Sequence, residues 1–225
     1  MAYLWEVFMD FRGVIWEGTL TTLYMTFATV GLAYAIGLPL GVLLVCLGKG
    51  GLFPNKTVHG VLSFVVNTGR SIPFLILMVA LMGFARFIVG TGIGATAALV
   101  PLVIAAAPFI SRMVETALNE VDAGIVDAAK SMGATNFQII RKVMLPESVP
   151  SLIRGFSITT IMIMNFSAMT GAIAAGGLGD MAIRYGHMSR NTHVIIIIVI
   201  VIVIIVTLIQ LLFNFLAAKI DKRLA

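Results

Sequence analysis

The residues able to do chemistry gather in one stretch of the chain. From about Asn119 to Pro150 the sequence is far more polar than on either side, and a connection of that length needs a purpose. Asp122 is placed to cap a short helix running to Ser131, with Gly133 where a left-handed residue would end it. Thr135 then caps a second helix with Gln138 in the capping-box position, and Leu145-Pro146 is expected to stop that helix. The adjacent small residues Ala128 and Ala129 would let a partner's surface come close, while Arg141 and Lys142 could pair with its acids at the rim. The chemistry on offer is docking rather than bond-making. No Gly-x-x-x-x-Gly-Lys-Ser/Thr occurs; the nearest cluster, Gly48-Lys49-Gly50-Gly51, lacks the spacing and the following hydroxyl, so the chain is not expected to hydrolyse ATP alone. His59, His187 and His193 are spread along the chain and read as ordinary loop and interface residues rather than a metal site. The single Cys46, inside an apolar run, excludes an intrachain disulfide and a Cys-based zinc or iron–sulfur site. No catalytic residue, metal ligand or cofactor site is expected.

The elements that position this loop are membrane spans. The 225 residues are 60% hydrophobic and only 11% charged, with mean hydropathy +1.06, against about 25% charged in an ordinary soluble domain. The net charge of +5 does not point to nucleic acid, because the basic residues are scattered between apolar runs. A pair of short helices tethered at both ends to spans is also poorly placed to enter a DNA groove. Stretches from Gly18 to Gly48, Gly155 to Gly179 and Asn191 to Ala218 are uncharged and long enough to cross. Arg70, Arg86 and Arg112 divide a further apolar region into two more spans, the second starting after the turn Gly90-Thr91-Gly92-Ile93-Gly94. The expected fold is an all-α integral membrane protein of five transmembrane helices, a single domain over 1–225. Placing the N-terminus outside puts Lys49, Lys56, Lys130, Arg141, Lys142, Arg154, Lys219, Lys222 and Arg223 inside, and leaves Arg12, Arg86, Arg184 and Arg190 outside.

Residues 1–17 carry Leu4, Val7, Phe8, Phe11, Val14 and Ile15 at helical spacing opposite Glu6, Asp10 and Glu17, with Tyr3, Trp5 and Trp16 suited to the headgroup level. They read as an N-terminal interfacial helix on the outer face, or as the amphipathic start of the first span. The unbroken Val and Ile run from Val194 to Val206 reads as a lipid-facing helix, since a lone strand in hydrocarbon leaves its backbone unpaired. In the fourth span, Ser157, Thr159, Thr160, Asn165, Ser167 and Thr170 mix with Gly171, Ala172, Ala174, Ala175, Gly176 and Gly177. If any span lines a pathway it is this one; the other reading is that its polar groups only bond neighbouring helices. Pro39, Pro73 and Pro108 are expected to bend the first three spans. Arg70 and Arg112 read as snorkelling anchors or as an inner electrostatic contact, Arg112 with Glu115.

The run Asp127-Ala128-Ala129-Lys130-Ser131-Met132-Gly133, continuing to Val143-Met144-Leu145-Pro146, resembles the EAA loop of ABC-importer permeases, with Asp127 for the family's usual Glu and Val143 for its usual Ile. Asn67 to Phe74, Ala107 to Glu115, Ser167 to Ala172 and Gly176 to Gly179 resemble the five-span permeases of methionine importers. The resemblance implies a homodimeric permease in the bacterial cytoplasmic membrane, coupled to two separate ATPase subunits that bind ATP and Mg and served by an extracytoplasmic binding protein or lipoprotein. On it, Asp127, Ala128, Ala129, Gly133, Ala134, Arg141, Leu145 and Pro146, within a cytoplasmic coupling loop of about residues 119–150, would contact the ATPase. Met169 falls on the family's pathway-closing position, with Phe166 one turn earlier and Asn165 beside it; read from the residues alone, Met162, Met164 and Met169 are packing. Another amino acid or a small peptide remains the rival cargo. A stand-alone secondary carrier fits less well, since no acid lies centrally in a span and five spans do not divide into two equal halves.

Overall fold

The computed structural model describes residues 2–220, with side chains from residue 6 onward. The side chains of Tyr3, Leu4 and Trp5, and Lys222 and Arg223 altogether, lie outside the described residues. The described backbone is helical, with short turns between elements. Among the described residues, four helices are long and apolar enough to cross a membrane, and a broken pair brings the total to five when taken as one span.

Helix α1 runs without interruption from Ala2 to Leu47, 46 residues, or about 70 Å at 1.5 Å per residue, more than twice a hydrocarbon core. Residues 2–17 are therefore not a separate helix; they run on into the first span without a break. Local chemistry supports the continuation: the Thr21 and Thr22 hydroxyls donate to the Glu17 and Gly18 carbonyls, and the helix carries on through Gly18 and Pro39. The amphipathic face is real but packs on protein, Val7 and Ile15 being buried with Leu178, Met181, Val194 and Ile197.

Helices α2 (Lys56–Ser71) and α3 (Phe74–Val89) have 16 residues each, about 24 Å apiece and too short to span alone. They break at Ile72-Pro73, where Pro73 takes the N-cap position of α3 with φ −57 and ψ 129. The expected bend at Pro73 is thus a full break, whereas α4 (Ala95–Asn119) continues through Pro108. The expected glycine turn follows α3, with Gly90 at φ +84 donating its N–H to the Arg86 carbonyl. After α4 come α5 (Ala123–Ser131), α6 (Asn136–Ile139), a π-turn (Ile140–Met144), α7 (Leu145–Met169), a 3₁₀ turn (Thr170–Ile173), α8 (Gly177–Met181), a second π-turn (Ala182–Met188) and α9 (Thr192–Ile220). Along α9 the Val and Ile run is two-sided: Val194, Ile197 and Ile198 are buried with residues of α1 and α8, while Val199 and Val203 are exposed.

The chain falls into two compact units. One holds residues 1–32, 72–105 and 160–210, the other 33–71, 106–159 and 211–225. The first is organised on two apolar clusters, one joining α1 to α8 and α9, the other gathering Met25, Phe74, Met78, Ala98, Leu102 and Ala175. The second is organised on a close crossing of α1 and α4. A Cβ at Gly37 would lie 2.7 Å from Ile110 Cγ2, and one at Gly41 2.6 Å from the Ser111 carbonyl oxygen, so two glycines four residues apart admit the other backbone.

Candidate coupling and gate sites

The polar loop is built as its caps foretell. Asp122 accepts a hydrogen bond from the Gly124 N–H at 2.7 Å and starts α5. At the other end the Ala134 N–H donates to the Ala129 carbonyl and the Gly133 N–H to that of Lys130, the paired bonds of a Schellman turn with Gly133 left-handed at φ +80. Thr135 and Gln138 then complete a reciprocal capping box: the Gln138 N–H donates to Thr135 Oγ1 at 3.3 Å, and the Thr135 N–H to Gln138 Oε1 at 2.8 Å. The loop presents two short helices in a fixed relation because each end is hydrogen-bonded locally.

The expected stop at Leu145-Pro146 does not occur. The helix begun at Asn136 continues through the π-turn into α7. The Leu145 N–H reaches back to the Ile140 carbonyl, a five-residue reach that widens the helix just before the proline. Widening relieves the clash that a proline ring makes with the carbonyl four residues earlier.

The docking residues divide by side of helix. Asp127 is exposed and paired with Lys130 at 3.1 Å; Ala128, Gly133, Arg141 and Pro146 are exposed, and Ala134 and Leu145 half-buried. Ala129, expected to face a partner together with Ala128, is instead buried, because neighbours on a helix point about 100° apart. Sequence reasoning missed three large apolar side chains on this surface: Ile125 is 44%, Met132 81% and Phe137 68% exposed. Ile125, Ala128 and Met132 recur at i, i+3 and i+7, a spacing that could have revealed the stripe. A cavity of about 270 Å³ lies under α5, lined by Cys46, Gly51, Leu52, Asn119 and Asp127 among others. The Asn136 side-chain amide donates to the Leu52 carbonyl at 3.4 Å, and Ser151 hydrogen-bonds Glu120.

Also in this unit, Arg112 reaches Glu115 at 2.5 Å and the Ser63 and Asn67 side-chain oxygens at 3.0 Å each. The electrostatic reading of Arg112 is the one observed, and the clasp fastens α2 to α4. Arg70 stands 5.6 Å from the Phe109 ring centroid, within cation–π range.

The polar residues of the fourth span do not form a lining stripe. Ser157, Thr159, Thr160, Ser167 and Thr170 are all buried. Ser167 donates to the Met164 carbonyl, Thr170 to that of Ser167, and Thr159 to that of Gly155. Such back-bonding satisfies a hydroxyl on its own helix. Asn165 and Met169, one turn apart, are the exposed pair, Met169 at 41%, while Met164 is core. Phe166 is half-buried and stacks on Phe74, centroids 4.5 Å apart and planes within 6°.

The small residues after Met169 make an elbow. Ala174 takes φ +54, and Gly176 and Gly177 take +83 and +81. The Leu178 N–H donates to Thr22 Oγ1 at 2.9 Å. A Cβ at Gly171 would overlap the backbone of Gly179 and Asp180, and one at Gly179 the Ala168 carbonyl. The glycines let α8 lie backbone to backbone on the end of α7. Beyond it, Arg184 pairs with Asp180 at 2.7 Å, and that carboxylate holds the guanidinium above its ordinary pKa.

Comparison with known proteins places this geometry. The chain is 47% identical over 213 residues to a probable D-methionine transport system permease of Pasteurella multocida, covering 93% of this chain and 98% of that one. It is 48% identical over 209 residues to the methionine import system permease of Bacillus subtilis, at 93% and 94% coverage. A methionine ABC transporter solved in inward-facing conformations matches the fold with a TM-score of 0.93 at 43% identity, over 95% of this chain and 99% of its counterpart. The family model of binding-protein-dependent transport system inner membrane components matches residues 37–225. With a broken second span, a rigid capped loop and an exposed apolar stripe on that loop, the chain belongs to this family of inner-membrane transport permeases.

Proposed function

We propose that the chain is the membrane subunit of an ATP-driven methionine importer, working as a homodimer with two ATPase subunits and an extracytoplasmic binding protein. Relatives named for methionine transport over nearly their whole length support the cargo. The observation that carries the coupling role is the exposed stripe of Ile125, Ala128 and Met132 on a helix locked at both ends. An exposed apolar surface of that kind is a contact waiting for a partner.

In this reading α5 seats in a cleft of the ATPase, with Asp127, Ala128, Gly133, Ala134 and Arg141 at the contact. Ala129 anchors the helix from inside, and Leu145 and Pro146 carry the chain on into α7. ATP and Mg are held by the ATPase subunits, and their closure moves the loops and opens the permease outward. Met169 closes the pathway, with Asn165 and Phe166 beside it; a flexible thioether suits a seal that repacks between two states. The N-terminus lies outside and the C-terminus in the cytoplasm, the orientation that keeps most Lys and Arg inside.

The test is reconstitution of the tagged permease with its co-purifying ATPase and the binding protein in proteoliposomes. ATP-dependent uptake of methionine, competed by one or both enantiomers, is expected. ATP-dependent uptake of a different amino acid alone would move the cargo; uptake without any ATPase would refute the importer reading.

A further inference from the structure

Phe74 has no part in docking and is buried, with 6% of its surface exposed. Its ring nevertheless lies flat on Phe166, three residues before Met169 on α7. It is also the first residue of α3, directly behind the break at Pro73. We propose that Phe74 is the positioning residue of the gate: through the Phe74–Phe166 stack it sets the rotation of α7, and with it the aim of Met169 and Asn165. This rests on the reading of Met169 as the gate.

A residue three places along a helix lies about 60° around from the first, so fixing Phe166 fixes Met169. The other side chains at this level hold rotation less firmly. The Ser167 and Thr170 hydroxyls donate to carbonyls of α7 itself, Thr170 adding only a weak 3.7 Å contact to Met25 Sδ, while α8 backs the end of α7 with backbone at Ala168 rather than with a side chain. Met164 is buried as well, but its unbranched chain can repack in other rotamers. Two near-parallel rings with centroids 4.5 Å apart attract each other beyond what their buried area supplies, and that attraction is lost when one face turns away from the other. Phe74 belongs to the same buried cluster as Met25, Met78, Ala98, Leu102 and Ala175, and Phe166, packed against that cluster, is the partner its ring stacks on.

The experiment uses the complete complex in proteoliposomes. It reads ATP-independent methionine flux, ATP hydrolysed per methionine imported, and the melting temperature. The variants are F74L, F166L, the double variant, M169A, and L102A as a control from the same core. F74L keeps most of the apolar bulk, loses the flat face and leaves a small void. It is expected to raise passive flux and ATP per methionine several-fold, in the direction of M169A, with melting little changed. F166L should behave alike, and the double variant should leak no more than the worse single one. L102A should lower melting without adding flux. A leak in M169A with none in F74L would overturn the positioning role while leaving the gate; so would multiplying effects in the double variant, or an equal leak in L102A. Absence of a leak in M169A would remove the gate reading and this role with it.

Discussion

Replacement of Gly133 isolates what the coupling loop requires. Gly133 holds φ +80 in the Schellman turn between α5 and α6, and a Cβ added there would meet nothing within 4 Å. Gly133→Ala therefore introduces no clash inside the chain, and its effect is the strain of an L residue held left-handed. That strain is about 1–2 kcal/mol, a factor of roughly 5–30 against the turn. If the turn seen here is the docked one, the apparent affinity for the ATPase falls by up to that factor, because only the competent fraction binds. Gly133→Asn should recover most of the loss, since Asn visits the left-handed region at lower cost. The assay is equilibrium binding of isolated ATPase subunits to solubilised permease, with uptake in proteoliposomes as a second readout. Wild-type affinity in both variants would refute the claim that this turn is the docked conformation. A loss greater for Asn than for Ala would refute the strain argument and indicate a surface packed directly on Gly133.

Arg112→Ala strands Glu115 and leaves Ser63 and Asn67 without their donor. The pair is 22% and 15% exposed, so the loss should be about 2–3 kcal/mol, under the range for a fully buried pair broken on one side. Thermal unfolding in detergent checks it, with Glu115→Gln retaining part of the stability through its remaining hydrogen bond. Gly179→Ala forces a Cβ onto the Ala168 carbonyl; the overpacking should exceed about 1–3 kcal/mol because backbone rather than a side chain must move. A lower melting temperature and lost uptake, with ATPase binding at the wild-type level, are the expected results.

What was legible in the sequence was local. Asp122, Thr135 with Gln138, Gly133 and the turn at Gly90 act within a few residues of themselves, and each does in the structure what its type dictates. What was not legible depends on partners distant in the chain. The apolar face of residues 7–15 looked suited to headgroups because its true neighbours, α8 and α9, lie far along the sequence. The hydroxyls of the fourth span looked like a lining because composition does not tell a group aimed at a pathway from one bonded to its own helix. The glycines at 37 and 41 carry a usable signal, the spacing of close helix crossings in membranes.

Pro146 shows how one such misreading bears on mechanism. A proline after a capped helix is ordinarily a stop, and a stop would have put a hinge between the docking loop and the fourth span. With the π-turn at Ile140–Met144 the helical backbone is instead continuous from Asn136 to Ile173, 38 residues. A hinge absorbs displacement, whereas a helix passes it along its axis. The wide turn is the weak place in that run, since its hydrogen bonds are of the rarer five-residue kind. The location is informative: it lies beyond α6 and ahead of every proposed gate residue. On the proposed coupling role, transmission would depend on Ile140–Met144 keeping its wide form, which the Leu145 N–H bond to the Ile140 carbonyl holds and which the crowding of the Lys142 carbonyl by the Pro146 ring favours.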